Sequence, residues 1–237
     1  MNPRKIWAVA RREFGDFFVS PTVYAVLFVY LFLTGYYSMN RILTQQQADL
    51  DISLYLFLLI FIVPLLTMGL ISSERRKGTI EMVFTSPVRS SEFVLGKYLG
   101  VLGVYGVILL ISLFYPAFLL YAGDPDPFMI GAQYLGMVLI GGTYLAVGLF
   151  CSALSEKNIV AAISTFFVLL ILLAVSILKS MVSTDWGSVI DALDLSLIMQ
   201  NFQEGLIRAG DLTFLLSLVV GFLYATMLYL NSRSWED

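Results

Sequence analysis

Ser73–Lys97 reads SERRKGTIEMVFTSPVRSSEFVLGK, and it interrupts a chain that is otherwise soluble mainly in hydrocarbon. The stretch holds five of the fourteen Lys and Arg residues: Arg75, Arg76, Lys77, Arg89 and Lys97. A segment so charged belongs in water, and its basic excess predicts the cytoplasmic side of a membrane. Gly78 permits a sharp turn as the chain leaves the bilayer. Thr79 then caps a short helix with Glu81 in its first turn, where the helix dipole favours a negative charge. Ile80, Val83 and Phe84 fall at i, i+3 and i+4 and give that helix one apolar face. Ser86-Pro87 ends it, because the residue before proline is pushed out of the helical region. A new helix starts at Ser90 or Ser91 with Glu92 in its first turn.

Two readings of this loop compete. As an interfacial anchor, Glu74 to Lys77 only marks the end of a span. As a docking element, the Ile80-Val83-Phe84 face is covered by a partner or by lipid, since an exposed apolar face is costly.

The pattern ERRKGTIEMVFTSPV, with Gly96-Lys97 seven residues after Arg89, resembles the first cytoplasmic loop of ABC-2-type transporter permeases. The likeness is nearest to the gliding-motility and nitrous-oxide-accessory branch. It implies a coupling loop at residues 74–91 that docks in a groove on a separate ATP-binding subunit. On the matching positions it implies an interface of Glu74, Arg75, Gly78, Thr79, Ile80, Glu81, Val83, Phe84 and Pro87, with Glu156 from a later inner turn. It also implies two ATPase copies that bind ATP and Mg, and a second permease subunit, identical or not. In some relatives a periplasmic or membrane accessory protein joins the assembly.

The composition agrees with a membrane protein. Of 237 residues 59% are hydrophobic, and mean hydropathy is +0.85. A soluble domain is about 45–50% apolar. The fold class expected is therefore an all-α integral membrane protein, with residues 1–237 as one transmembrane domain. The first long apolar run begins only after Pro21, with Glu13 and Asp16 before it, so an uncleaved span rather than a signal peptide is expected. The one cysteine, Cys151, lies in an apolar run and reads as a small buried hydrophobe.

Residues 3–18 read as an amphipathic helix on the inner membrane surface. Asn2 is its N-cap and Pro3 its first residue. Six spans follow, at about 22–40, 52–73, 93–121, 128–155, 159–178 and 212–230, each long enough to cross ~30 Å of hydrocarbon. Pro64 is expected to kink the second and Pro116 to bend the third. Gly96, Gly100 and Gly103 share one face of the third span and let another helix approach closely, within or between subunits. Residues 179–210 are too polar to span and read as one or two short amphipathic helices on the outer face.

Six spans put both termini on one side. The N-terminus, residues 73–97, residues 154–158 and the tail carry eleven Lys and Arg, whereas the opposite segments carry three: Arg41, Lys179 and Arg208. The charge bias predicts both termini in the cytoplasm, and the resemblance implies a bacterial inner membrane.

No Asp, Glu, Lys or Arg lies in residues 22–40, 52–73, 98–123, 127–155, 158–178 or 212–232. That argues against proton-driven transport by the chain alone, because such pumps need ionisable groups in the membrane. Histidine is absent, and no Gly-x-x-x-x-Gly-Lys-Ser/Thr phosphate loop occurs. No catalytic, cofactor or metal set is visible, and nothing suggests nucleic acid. Two function classes stand: the membrane subunit of an ATP-driven transporter, for export or for transmitting motion, and a non-transporting anchor of an envelope complex. The resemblance favours the first.

Overall fold

A computed structural model describes residues 2–41, 52–78, 89–122, 126–179 and 194–233. Residues 79–88, which carry Thr79, Ile80, Glu81, Val83, Phe84 and Pro87 of the expected coupling helix, lie outside the described residues. So do residues 42–51 of the expected outer loop and residues 180–193 of the polar stretch.

Among the described residues the chain is helical and has no strand. The helices are α1 (Pro3–Val19), α2 (Pro21–Asn40), α3 (Ile52–Thr67), α4 (Ser72–Arg76) and α5 (Ser90–Ser112). They continue with α6 (Phe114–Ala122), α7 (Pro127–Leu154), α8 (Asn158–Lys179), α9 (Leu195–Gln203) and α10 (Ala209–Arg233). Five stretches are long and apolar enough to cross a membrane: Pro21–Asn40, Ile52–Arg76, Ser90–Phe118, Pro127–Leu154 and Ala209–Ser232. Asn158–Ala174 within α8 is a shorter apolar helix.

The bundle is built around α7, whose apolar window is 78% buried against 17% for α10 at the edge. It packs on α3, α5, α8, α9 and α10. Lipid gives no hydrophobic drive for helix association, so close packing and interhelical hydrogen bonds hold such a bundle. Small residues of α7 provide the approach: Gly141 lies under the ring of Tyr105, and Gly148 lies against Thr67. Tyrosine hydroxyls supply the hydrogen bonds. Tyr105 donates to the Met137 carbonyl at 2.9 Å and Tyr98 to the Gly142 carbonyl at 3.2 Å.

Two prolines act differently from one another. The helix of the third span is interrupted at Leu113, between α5 and α6. Pro116 lacks an N–H and its ring crowds the carbonyl four residues back, that of Ser112. In the second span Pro64 stays inside α3, and the interruption comes later, at residues 68–71. At that interruption another helix supplies hydrogen bonds to the backbone (below).

Within the stretch expected to hold short amphipathic helices, Leu195–Gln203 form α9. In α9, Leu195, Ile198, Met199, Asn201 and Phe202 are buried, packed against α3, α7 and α8. Its Gln203 side chain accepts from the Ile52 N–H at 2.7 Å, at the start of α3. The buried face of α9 packs into the end of the bundle.

Candidate functional site

At the opposite end of the bundle, both roots of the 79–88 loop meet a group of polar side chains. The incoming root is α4, five residues bounded by the 68–71 interruption and by Gly78. Gly78 has φ +68°, in the left-handed region where any Cβ is strained.

The interruption would leave backbone groups unpaired in an apolar setting, which costs several kcal/mol per group in lipid. Ser152 of α7 takes their place. Its hydroxyl accepts from the Ile71 N–H at 3.1 Å and the Ser72 N–H at 3.2 Å, and donates to the Met68 carbonyl at 3.2 Å. The Ser72 hydroxyl lies 2.8 Å from Asn158 Oδ1, at the start of α8. Its other contact is the Met68 carbonyl, and Ser73 turns back to the Gly69 carbonyl. The root is therefore pinned to the junction of α7 and α8, where Glu156 stands exposed in the connecting turn.

On its other flank α4 meets Lys97 of α5. The Lys97 ammonium lies 2.9 Å from Glu74 Oε1 and 2.6 Å from Glu13 Oε1 of α1, and the residue is only 1% exposed. It also sits 5.0 Å from the Phe93 ring centroid. Taking an ammonium out of water is tolerated only when such partners surround it. Burial pushes the Glu13 carboxyl above the usual carboxylate range, against the pull of Lys97. Glu74, expected at the ATPase interface, thus turns its carboxylate inward.

Helix α1 lies along α5. A Cβ on Gly96 would stand 2.5 Å from the Val9 side chain, and one on Gly100 would stand 2.7 Å from Glu13 Cβ. Gly103 faces the ring of Phe14. The three glycines thus admit α1, within the same chain. The Asn2 side chain accepts from the Arg4 N–H and caps α1, while the Asn2 N–H donates to Glu92 Oε1 at 2.6 Å. Glu92 Oε2 takes the Arg89 N–H at 3.2 Å, so one carboxylate joins the start of α1 to the start of α5.

The last helix holds both roots of the loop. Arg75 lies over the ring of Tyr229 in α10, 5.4 Å from its centroid. At the outgoing root, Ser90 Oγ is 2.8 Å from Asn231 Oδ1, also in α10. A cavity of about 800 Å³ opens between α1, α2, α3, α4 and α5. Glu13, Glu74 and Lys97 lie on its polar side and Val23, Leu65 and Leu66 on its apolar side.

Of the expected interface residues, the structure places Glu74, Arg75 and Gly78 at the incoming root and Glu156 in the turn before α8. Glu13, Lys97, Ser152, Asn158, Tyr229 and Asn231 were not singled out by sequence. The arrangement fixes the roots of one loop to α1, α5, α7, α8 and α10.

No curated protein matches the chain in sequence. The family model of the ABC-2 family transporter proteins matches residues 44–230. That span takes in α3 to α9, most of α10 and the whole 79–88 loop. A bundle of apolar helices with its polar anchorage at the roots of one loop, matched over most of its length, belongs to the ABC-2 family of transporter membrane proteins.

Proposed function

We propose that the chain is the membrane-spanning subunit of an ATP-driven transporter, and that the 79–88 loop is where a separate ATPase grips it. The observation that carries this reading is the anchorage of the loop. Both roots are tied to five helices, so a force applied to the loop reaches most of the bundle. Binding and hydrolysis of ATP and Mg belong to the partner, and this chain is not an enzyme. Ile80, Val83, Phe84 and Pro87 fill an apolar groove on the ATPase. Arg75 and Glu81 orient the contact, with Glu156 at its edge, because rim charges contribute specificity more than affinity. Thr79 caps the docking helix.

In this reading α8, 22 residues long, also spans the membrane and brings the spans to six, and both termini lie in the cytoplasm of a bacterial inner membrane. Two such subunits, identical or different, work with two ATPases, as in the gliding-motility and nitrous-oxide-accessory branch that the loop resembles. The complex exports an amphiphile or transmits motion to an accessory protein.

Reconstitution with the cognate ATPase in nanodiscs tests the docking. Phe84→Ala removes a buried anchor of about 2 kcal/mol, so association weakens about 30-fold. Unchanged association and unchanged ATPase stimulation in both Phe84→Ala and Thr79→Ala, with normal insertion, would leave the loop as an anchor only. Orientation is checked by cysteine labelling in a Cys151→Ser background. An impermeant reagent added outside labels Gln46→Cys and Ser188→Cys but not Ser90→Cys, and the reverse pattern overturns the topology.

A further inference from the structure

We propose that α4 is a lever, and that Lys97 is the positioning residue through which its movement reaches α1 and α5. The inference rests on the coupling reading above and goes beyond it, because Lys97 and Glu13 lie behind the loop rather than on its docking face.

The lever is visible in the backbone. Helix α4 is separated from α3 by the interruption at 68–71 and from the loop by the left-handed turn at Gly78. It is therefore a short rigid piece with a joint at each end. A few element-terminal residues that absorb changes in φ and ψ are the ordinary make-up of a hinge. One side of the lever is held by neutral hydrogen bonds from Ser152 and Asn158. The other is held by charge, through Glu74 and Lys97.

Lys97 is suited to pass motion on. Its ammonium holds Glu74 of the lever at 2.9 Å and Glu13 of α1 at 2.6 Å, while its own backbone is part of α5. Helices α1 and α5 move together, because Gly96 and Gly100 leave no gap between them and Glu92 ties their ends. Breaking the Glu74 contact would leave the buried Lys97 ammonium with Glu13 as its one carboxylate partner, and a buried cation is held in place by its partners. When α4 is displaced, following it is cheaper for Lys97 than letting go.

The double variant Lys97→Met with Glu13→Gln tests this. It removes one positive and one negative charge, so the net charge stays the same. Glu74, at 19% side-chain exposure, can take water in place of its partner. The measurements are ATPase association and ATPase stimulation in nanodiscs. The expected result is association within twofold of wild type, with stimulation lowered at least about fivefold, the low end of measured coupling between sites. Lys97→Arg, which keeps the cation, retains stimulation. Stimulation unchanged in the double variant overturns the lever. So does a parallel loss of association and stimulation, which would mean that Lys97 only shapes the docking surface. Should the double variant not insert, Lys97→Gln is read by the same two outcomes. If wild-type protein itself neither binds nor stimulates an ATPase, the coupling reading fails instead, and that result is seen before any variant is made.

Discussion

Arg75 lies over the ring of Tyr229, its guanidinium carbon 5.4 Å from the ring centroid, so the incoming root of the loop rests on the last helix of the bundle. A hydroxyl contact at 3.5 Å accompanies the stacking. The two contributions separate by substitution. Removing the ring in Tyr229→Ala should lower stability by about 0.5–1 kcal/mol from the lost cation–π contact, beyond what its packing contributes. Tyr229→Phe keeps the ring and should stay close to wild type. Thermal unfolding in one detergent compares the two, and equal losses would show that the hydroxyl rather than the ring holds Arg75.

The α1–α5 contact predicts a position-dependent response to alanine. At Gly100 a new Cβ meets Glu13 Cβ at 2.7 Å and the Ala10 carbonyl at 3.1 Å, so α1 has to move. Overpacking of this kind costs about 1–3 kcal/mol. Gly106, with nothing within 4 Å of the added Cβ, is the control and should tolerate alanine. Amide hydrogen exchange over residues 3–19 reports the outcome. Faster exchange in Gly100→Ala but not in Gly106→Ala is expected, and identical protection in both would contradict the packing.

Ser152 satisfies two backbone N–H groups at the interruption of the second span. Ser152→Ala leaves both without that acceptor, at about 1–3 kcal/mol for each buried donor. Exchange at Ile71 and Ser72 should accelerate while α3 stays protected. If α3 frays as well, the serine holds more than the joint.

Glu13 gives the protein a pH dependence of definite sign. Its folded-state pKa is raised, chiefly by burial, so the folded protein binds this proton more tightly than the unfolded chain does. The stabilisation is complete below the ordinary value of 4.5 and is lost as pH rises through the raised folded-state value. Melting temperature should therefore fall as pH climbs from 4.5, and Glu13→Gln should flatten that slope. A slope that persists unchanged in Glu13→Gln would assign it to another group.

Hydropathy and charge made the helical membrane class legible, because a span must be a long apolar run and needs no partner to show itself. The Asn2 cap was equally plain, being a matter of neighbouring residues. The glycines at 96, 100 and 103 announced that something approaches α5, but not that it is α1. Lys97 and Glu13 looked like residues of the aqueous edge. They are buried only because segments 84 residues apart in sequence fold onto each other. The bond of Ser152 to Ile71 depends on the register between α3 and α7, which no local pattern shows.

The repair of the second span also bears on the order in which the protein is made. Ile71 lies 81 residues ahead of the serine that serves it, so translation delivers the joint long before its missing part. Until residues 127–154 have entered the bilayer, the interruption has no Ser152 to meet, and water, lipid headgroups or the insertion machinery must serve those amides. The joint behind the loop is thus completed only once α7 is in place, and a nascent chain halted before Pro127 lacks it altogether.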